Sequence, residues 1–293
     1  MKQAILFFAL SYFAVYVSCN HQDKKDNVTI EKEAGATGEW LLGAGTYTFH
    51  RFSFLEALDK VDSCGLKYIE VFPEQELGGG LKSTMDYHMD SSKQQLILKK
   101  LQEKGLTMIA YGVVTPKSEA DWKILFEFGK AMGIRTFTSE PNEKDLPYIA
   151  TLCDEYGINL AIHNHPWPKH YWHPDTVLHA IKGLSQRVGA CADVGHWVRS
   201  DLNAVDCLKQ LEGHILHVHM KDLAAIEGKD DGGDNRDVRW GTGVVNFKGV
   251  MQELKRQHFT GMISAEYETN WLNNVPDVIA SVENFRKTEK EIQ

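Results

Sequence analysis

The feature that most constrains this chain is a repeated alternation. Short apolar runs that end in polar residues recur at roughly 30-residue intervals from Trp40 onward, and stretches with helical spacing separate them. The runs are Trp40–Thr48, Leu66–Phe72, Thr107–Val114, Ile134–Glu140, Asn159–His163, Val188–Val194, Ile215–Met220 and Met262–Glu268. Apolarity without alternation over so few residues suits strands buried on both faces, the condition of a parallel sheet covered by helices. The intervening stretches carry apolar stripes: Phe54, Leu55, Leu58 and Val61, then Leu96, Leu98 and Leu101, then Trp122, Leu125, Phe126 and Met132. A last one runs from Val275 to Phe285. Gly65, Gly105, Gly133 and Gly157 each stand just before a run, where a left-handed helix stop would feed the next strand. Eight such units without an internal linker predict a single closed (β/α)8 barrel over residues 39–293, with a doubly wound α/β sheet as the alternative.

Ahead of the barrel, Met1-Lys2 precede an almost wholly apolar stretch from Ala4 to Val17, followed by Ser18-Cys19-Asn20. This reads as a secretory signal over residues 1–19, an uncleaved anchor being the alternative. Ser18-Cys19 resembles the end of a bacterial lipobox, whose Cys would carry lipid, although Tyr16 stands where that motif usually has an aliphatic residue. Residues 20–38 are polar, charged and free of aromatics, as expected of a flexible tether. Together these features predict an exported protein, periplasmic or lipid-anchored at a bacterial membrane. Cys64, Cys153, Cys191 and Cys207 show no CxxC pairing and mostly sit among apolar residues, so they read as buried free thiols. A formal net charge of -8 argues against a nucleic-acid partner.

In a barrel of this kind the site collects at the carboxyl ends of the strands. Six of the eight runs end in ligand-type residues: Glu70, Glu140, His163-Asn164-His165, Asp193 with His196, His217-Val218-His219-Met220-Lys221-Asp222, and Glu266-Tyr267-Glu268. Alternate residues of a strand point the same way, so His163 pairs with His165, His219 with Lys221, and Glu266 with Glu268. Carboxylates and imidazoles that converge on one axis repel or stay unsatisfied unless a cation joins them. Such mixed ligation suits one divalent ion, Mn²⁺, Zn²⁺, Mg²⁺ or Co²⁺. The irregular segment Ala224–Val245, dense in Gly and Asp, reads either as a surface loop or as a cover over the site.

These motifs resemble the xylose isomerase-like TIM-barrel superfamily of sugar isomerases, epimerases and inosose dehydratases, over about Gly43 to Phe285. The most specific pieces are Asp193-Val194-Gly195-His196, the strand from His217 to Asp222, Glu266, and Arg239-Trp240-Gly241-Thr242-Gly243 followed by Asn246-Phe247. The resemblance implies a metal held by Glu140, Asp193, His219 and Glu266. His163 or His165 is the substitute for Glu140, because His163 stands where ketose epimerases of the family place a Glu. It further implies His163 or His165 as general base or acid, with His196 and Lys221 contacting hydroxyls or an oxyanion. Glu70, Tyr111, Trp172, Trp197 and Arg239 are the expected substrate contacts, Glu70 binding a hydroxyl or orienting Lys221 and the two Trp stacking on a sugar ring. Asp222 would orient His219 or cap the following loop.

Epimerases of this family use two opposed Glu residues, and one of that pair is missing here. The resemblance therefore points first to a metal-dependent lyase or hydratase acting on a keto-sugar or 3-keto-glycoside by elimination. A metal-dependent sugar isomerase or epimerase is the alternative, and a non-catalytic glycan-binding protein the third reading. Three-zinc phosphodiesterases share the barrel, but they need a basic groove that this composition does not offer. Oligomeric state is left open.

Overall fold

The computed structural model describes residues 40–225 and 236–292. The predicted signal and tether, and the middle of the Ala224–Val245 segment, lie outside the described residues. The chain runs β1 (Leu41–Gly45), α1 (Phe54–Ser63), β2 (Tyr68–Val71), β3 (Glu76–Gly78), β4 (Leu81–Thr84), α2 (Ser91–Lys104) and β5 (Thr107–Tyr111). It continues with α3 (Glu119–Met132), β6 (Thr136–Ser139), α4 (Leu146–Tyr156), β7 (Asn159–His163), α5 (Pro174–Ile181) and β8 (Val188–Asp193). Then come α6 (Val194–Arg199), α7 (Ala204–Gln210), β9 (Ile215–Met220), α8 (Phe247–Arg256), β10 (Met262–Ala265) and α9 (Val275–Glu291).

Strands β1, β2 and β5 to β10 form a closed parallel barrel in chain order, β10 pairing back onto β1. Every residue of β6, β8 and β10 is buried, which accounts for runs that never alternate with polar residues. Among the helices, α3 buries Trp122, Leu125, Phe126 and Met132 as its stripe predicts. Its Gly129 lets it settle on β6, since a Cβ there would meet the Phe137 ring at 2.4 Å. On α2 the buried pair is Ile97 and Leu101, while Leu98 is exposed, so the predicted stripe is corrected by about a third of a turn. Helix stops follow the expected chemistry: Gly105 and Gly133 take φ of 64° and 75°. Cys64, Cys153, Cys191 and Cys207 are buried and unpaired.

One element was not expected. The antiparallel pair β3–β4 stands apart from the barrel sheet, joined through Gly78, Gly79 and Gly80, all with positive φ. The glycine triplet was its only sequence signal, because both strands are short and mostly exposed or half-buried. The barrel holds the segment after this hairpin: the Tyr111 hydroxyl donates to the Met85 carbonyl at 3.0 Å. Tyr111 is thereby fully buried against Phe128 and Phe137; it does not line the cavity at the barrel mouth, where the expected contact would lie, but underlies a second cavity beside it.

Candidate active site

The polar strand ends meet in a cavity of about 200 Å³ at the carboxyl end of the barrel. Its floor and walls include Glu70, His163, His165, His196, His219 and Glu266. Four of the buried atoms here make no hydrogen bond with the protein: Nε2 of His163, Oδ2 of Asp193, Nδ1 of His219 and Oε2 of Glu266. The ligating groups of these four residues lie within 4.8 Å of one another.

The local fold aims three of these atoms. Asp193 ends β8 and caps α6, its Oδ1 accepting the His196 N–H at 2.8 Å, which turns Oδ2 into the mouth. His219 on β9 donates from Nε2 to Glu70 Oε2 at 2.8 Å, leaving Nδ1 inward. His163 ends β7 with Nδ1 facing Glu140 Oε1 at 3.4 Å, leaving Nε2 inward. Each imidazole thus has a carboxylate behind it, the arrangement that fixes the tautomer of metal-binding histidines. Buried carboxylates and imidazoles left without partners are costly. Two imidazoles and two carboxylates fit a divalent cation, and the donor types admit zinc, manganese, cobalt or magnesium.

The cluster has a cation of its own. Lys221 Nζ lies 3.0 Å from Asp193 Oδ2, 2.9 Å from Glu266 Oε2 and 3.1 Å from Glu268 Oε2, at ion-pair distance without hydrogen-bond alignment. Burial pulls its pKa down, but Asp193, Glu266 and Glu268 raise it well above the ordinary lysine value, so it stays charged. Burial lowers the pKa of His163 and of His219, but Asp193 and Glu140 beside the first and Cys191, Glu70 and Glu266 beside the second raise both. These imidazoles therefore share positive charge with Lys221 and Arg199 against the acidic groups, while burial pushes Asp237 up to about 7. Burial would push Glu70 up, yet the imidazoles of His219 and His217 hold it well below the carboxylate range. Burial, helped by Lys221, outweighs Asp193 and keeps His196 neutral. Because Arg199 donates to His196 Nδ1 at 3.0 Å, the His196 proton resides on Nε2.

The predicted residues sort into two groups. His163, His165, His196, Asp193, His219, Lys221, Glu266 and Glu70 all reach the mouth or its floor. Glu140 does not join Asp193, His219 and Glu266; His163 takes that position. Glu140 instead stands at the rim, contacting His163 and accepting from His165 Nδ1. Its strand ends at Ser139, so the side chain reaches across the rim rather than down the barrel axis. Glu70 lines the cavity floor but does not orient Lys221; its oxygens accept from the Thr138 hydroxyl, His217 and His219.

Trp197 is 1% exposed because α6 turns it into the core, and it cannot stack on a ligand. Arg239 is exposed and pairs with Asp277 at 2.9 Å, away from the cavity. Trp172 packs edge-on against Trp167 on the loop after β7 and does not line the cavity. Asp222 does not orient His219; it accepts the backbone N–H groups of Leu223, Gly241, Gly243 and Val245, knotting the ends of the segment that follows β9. A Cβ on Gly243 would meet Asp222 Oδ1 at 2.3 Å, which explains the Gly-Thr-Gly turn.

Sequence reasoning singled out the strand of His217 but gave that residue no role, although its spacing from His219 places both inside the barrel. It also missed Arg199, which joins Glu268 at 3.0 Å to Asp237 at 2.8 Å. No local motif marks that contact, since its members are separated by tens of residues.

Comparison with known proteins gives the chain a context. A family profile described as xylose isomerase-like TIM barrel matches residues 58–288. A solved protein from Parabacteroides distasonis is 34% identical, with a TM-score of 0.69, over 85% of this chain and 98% of that one. An uncharacterized protein of Methanocaldococcus jannaschii is 27% identical over 147 residues, which is 48% of this chain and 46% of the relative, so the match spans under half of that relative's length. Two more distant structures share the fold. A xylose isomerase-like TIM-barrel protein from Mycobacterium smegmatis, in complex with magnesium, is 12% identical with a TM-score of 0.70, over 89% of this chain and 99% of that one. The probable 3-DHS dehydratase AsbF from Bacillus anthracis is 14% identical with a TM-score of 0.65, over 85% and 99%.

Proposed function

This chain belongs to the xylose isomerase-like TIM-barrel family, and on that premise we propose that it is a divalent-metal-dependent lyase acting on a keto-sugar or 3-keto-glycoside. The observation that carries the reading is the convergence of four buried ligand-type atoms on His163, Asp193, His219 and Glu266, which lie within 4.8 Å of one another and are held by charge pairs rather than by aligned hydrogen bonds. The magnesium in the M. smegmatis structure and the dehydratase name of the B. anthracis protein support it by analogy of fold. A divalent ion on these four side chains would act as a Lewis acid toward the substrate carbonyl and its developing negative charge.

The remaining chemistry belongs to the chain. Glu140 accepts the Nδ1 proton of His165, so Nε2 of that half-exposed imidazole carries a free lone pair in the mouth. His165 removes the proton from the carbon beside the carbonyl. The C–H electron pair becomes a double bond to the next carbon, and the bond from that carbon to its oxygen substituent breaks. The imidazolium so formed returns the proton to the departing oxygen, giving an alcohol and an unsaturated ketone. Lys221, cationic and buried, faces the same charge, and neutral His196 offers its Nε2–H to a substrate oxygen.

The test is incubation of the metal-loaded protein with a 3-keto-glycoside in D₂O. Release of the alcohol together with an enone absorbance is expected. Deuterium entering an intact ketose without alcohol release would replace elimination by epimerisation, the second reading. The apolar stretch Ala4–Val17 supports an exported place of action, which fractionation of the expressing cell checks.

A further inference from the structure

The mouth is small for a glycoside. At about 200 Å³ it falls below the ~300–1,000 Å³ of ordinary small-molecule sites. A second cavity of about 420 Å³ opens beside it, and Phe72 and Val113 line both. We propose that this second cavity is the subsite for the leaving half of the substrate, and that it takes a neutral, hydroxyl-rich ring such as the second sugar of a disaccharide. The inference rests on the elimination reading for what happens at the mouth, but the groove is argued from its own residues.

One wall is the segment Met85–His88 that follows the β3–β4 hairpin; the other is the segment from Val113 to Lys117, with Asp121 in the first turn of α3. The first wall is fastened at its root. Glu74 N–H donates to the Met85 carbonyl at 3.0 Å, Met85 N–H to Gln75 at 2.8 Å, and the Tyr111 hydroxyl to Met85 from below. A groove held this way costs little to order around a ligand. Half-buried Tyr87, packed against His88 with ring centroids 4.2 Å apart, offers an aromatic face of the kind on which a pyranose stacks.

Charge decides the ligand class. Glu74, Asp86 and Asp121 line the groove against two basic groups, Lys117 and His88; the hydrogen bond to Asp86 at 3.0 Å raises the pKa of the His88 imidazole, which also faces Asp121 at 3.4 Å, and the three carboxylates leave the lining acidic. Carboxylates accept hydrogen bonds from sugar hydroxyls, and the same carboxylates repel a phosphate or uronate. The groove therefore selects against phosphorylated and acidic partners.

The experiment compares methyl 3-keto-glucoside with 3-keto-cellobiose oxidised in its non-reducing ring, using metal-loaded protein, by steady-state kinetics and by calorimetric binding. The wild type should prefer the disaccharide by at least about tenfold, which is ~1.4 kcal/mol. Y87A should abolish most of that preference by raising KM or Kd for the disaccharide, with methyl glycoside values within about twofold. K67A, at an exposed position that lines neither cavity, should change the preference by less than about threefold, which separates the groove from a general charge effect. A preference seen in binding and lost in Y87A supports the groove even if neither compound is eliminated, an outcome that would sink the elimination reading alone. No preference in either measurement, or equal losses for both compounds in Y87A, overturns the groove.

Discussion

Two carboxylates in the mouth each hold a pair of imidazoles, one at the floor and one at the rim. Glu70 at the floor is 3% exposed and holds His217 and His219 from inside the barrel. Glu140 at the rim is about a quarter exposed and holds His163 and His165, and His165 is itself 40% exposed. The chemical pairing is the same, and the difference is access. A carboxylate–imidazole pair sealed from water serves to fix a ring in place, whereas one that opens to the cavity can pass a proton to a ligand. His163 stands between the two regions, its Nδ1 turned to the rim and its Nε2 to the cluster below.

The comparison breaks most sharply at the cluster both regions serve. Asp193→Ala should reduce bound metal from about one ion per chain to about a tenth or less, with activity falling by at least about a thousandfold. Metal analysis of the purified variant checks it, and equal metal in variant and wild type would remove Asp193 from the site. At the rim, His165→Ala should lower kcat by about a hundred- to ten-thousandfold while metal content stays level, because a proton carrier is lost and no ligand is. A joint loss of metal and rate would erase the distinction between rim and floor.

At the floor the expected pattern inverts. Glu70→Gln should weaken metal affinity by about ten- to a hundredfold, as supporting carboxylates do, and rate at saturating metal should recover in large part. A competition titration against a chelator measures this. The smallest effect concerns acid stability of the metal-stripped protein. Burial raises the Glu140 pKa, but His163 and His165 outweigh it and bring it down to about 2, against an ordinary value of 4.5. A group whose folded pKa is depressed contributes stability that is present above its unfolded pKa and lost as pH falls toward the folded one. Wild type should therefore lose more stability than E140Q between about pH 4.5 and 2, and parallel acid-unfolding curves would contradict the pairing.

Much of this arrangement was legible in the sequence, for reasons that also explain the gaps. Unbroken apolarity in runs such as Val188–Val194 signals burial on both faces, and polar residues at such ends stand out against it. That contrast picked out the polar strand ends, and the family resemblance then grouped Asp193, His219 and Glu266. The choice between Glu140 and His163 could not, because it depends on how neighbouring strands are staggered and where each one stops. Ser139 closes β6 one residue short of Glu140, while β7 continues through His163. Trp197 failed for a similar reason: a short helix starting at Val194 swings the indole inward, and an aromatic beside a motif looks the same whether it stacks on a ligand or packs. The β3–β4 hairpin escaped because strands of three or four half-exposed residues leave almost no periodic signal.

The four backbone N–H groups gathered by Asp222 have a bearing on how such a protein can be altered. Leu223 and Gly241 to Val245 are clasped to one another at the base, and Ala224 N–H meets the Arg236 carbonyl at 2.9 Å just above. The flanks at Ala224 and Arg236 are thus fastened to each other and to Asp222, so a change in the length of chain between those two residues is expected to strain this clasp before it reaches Lys221 and His219.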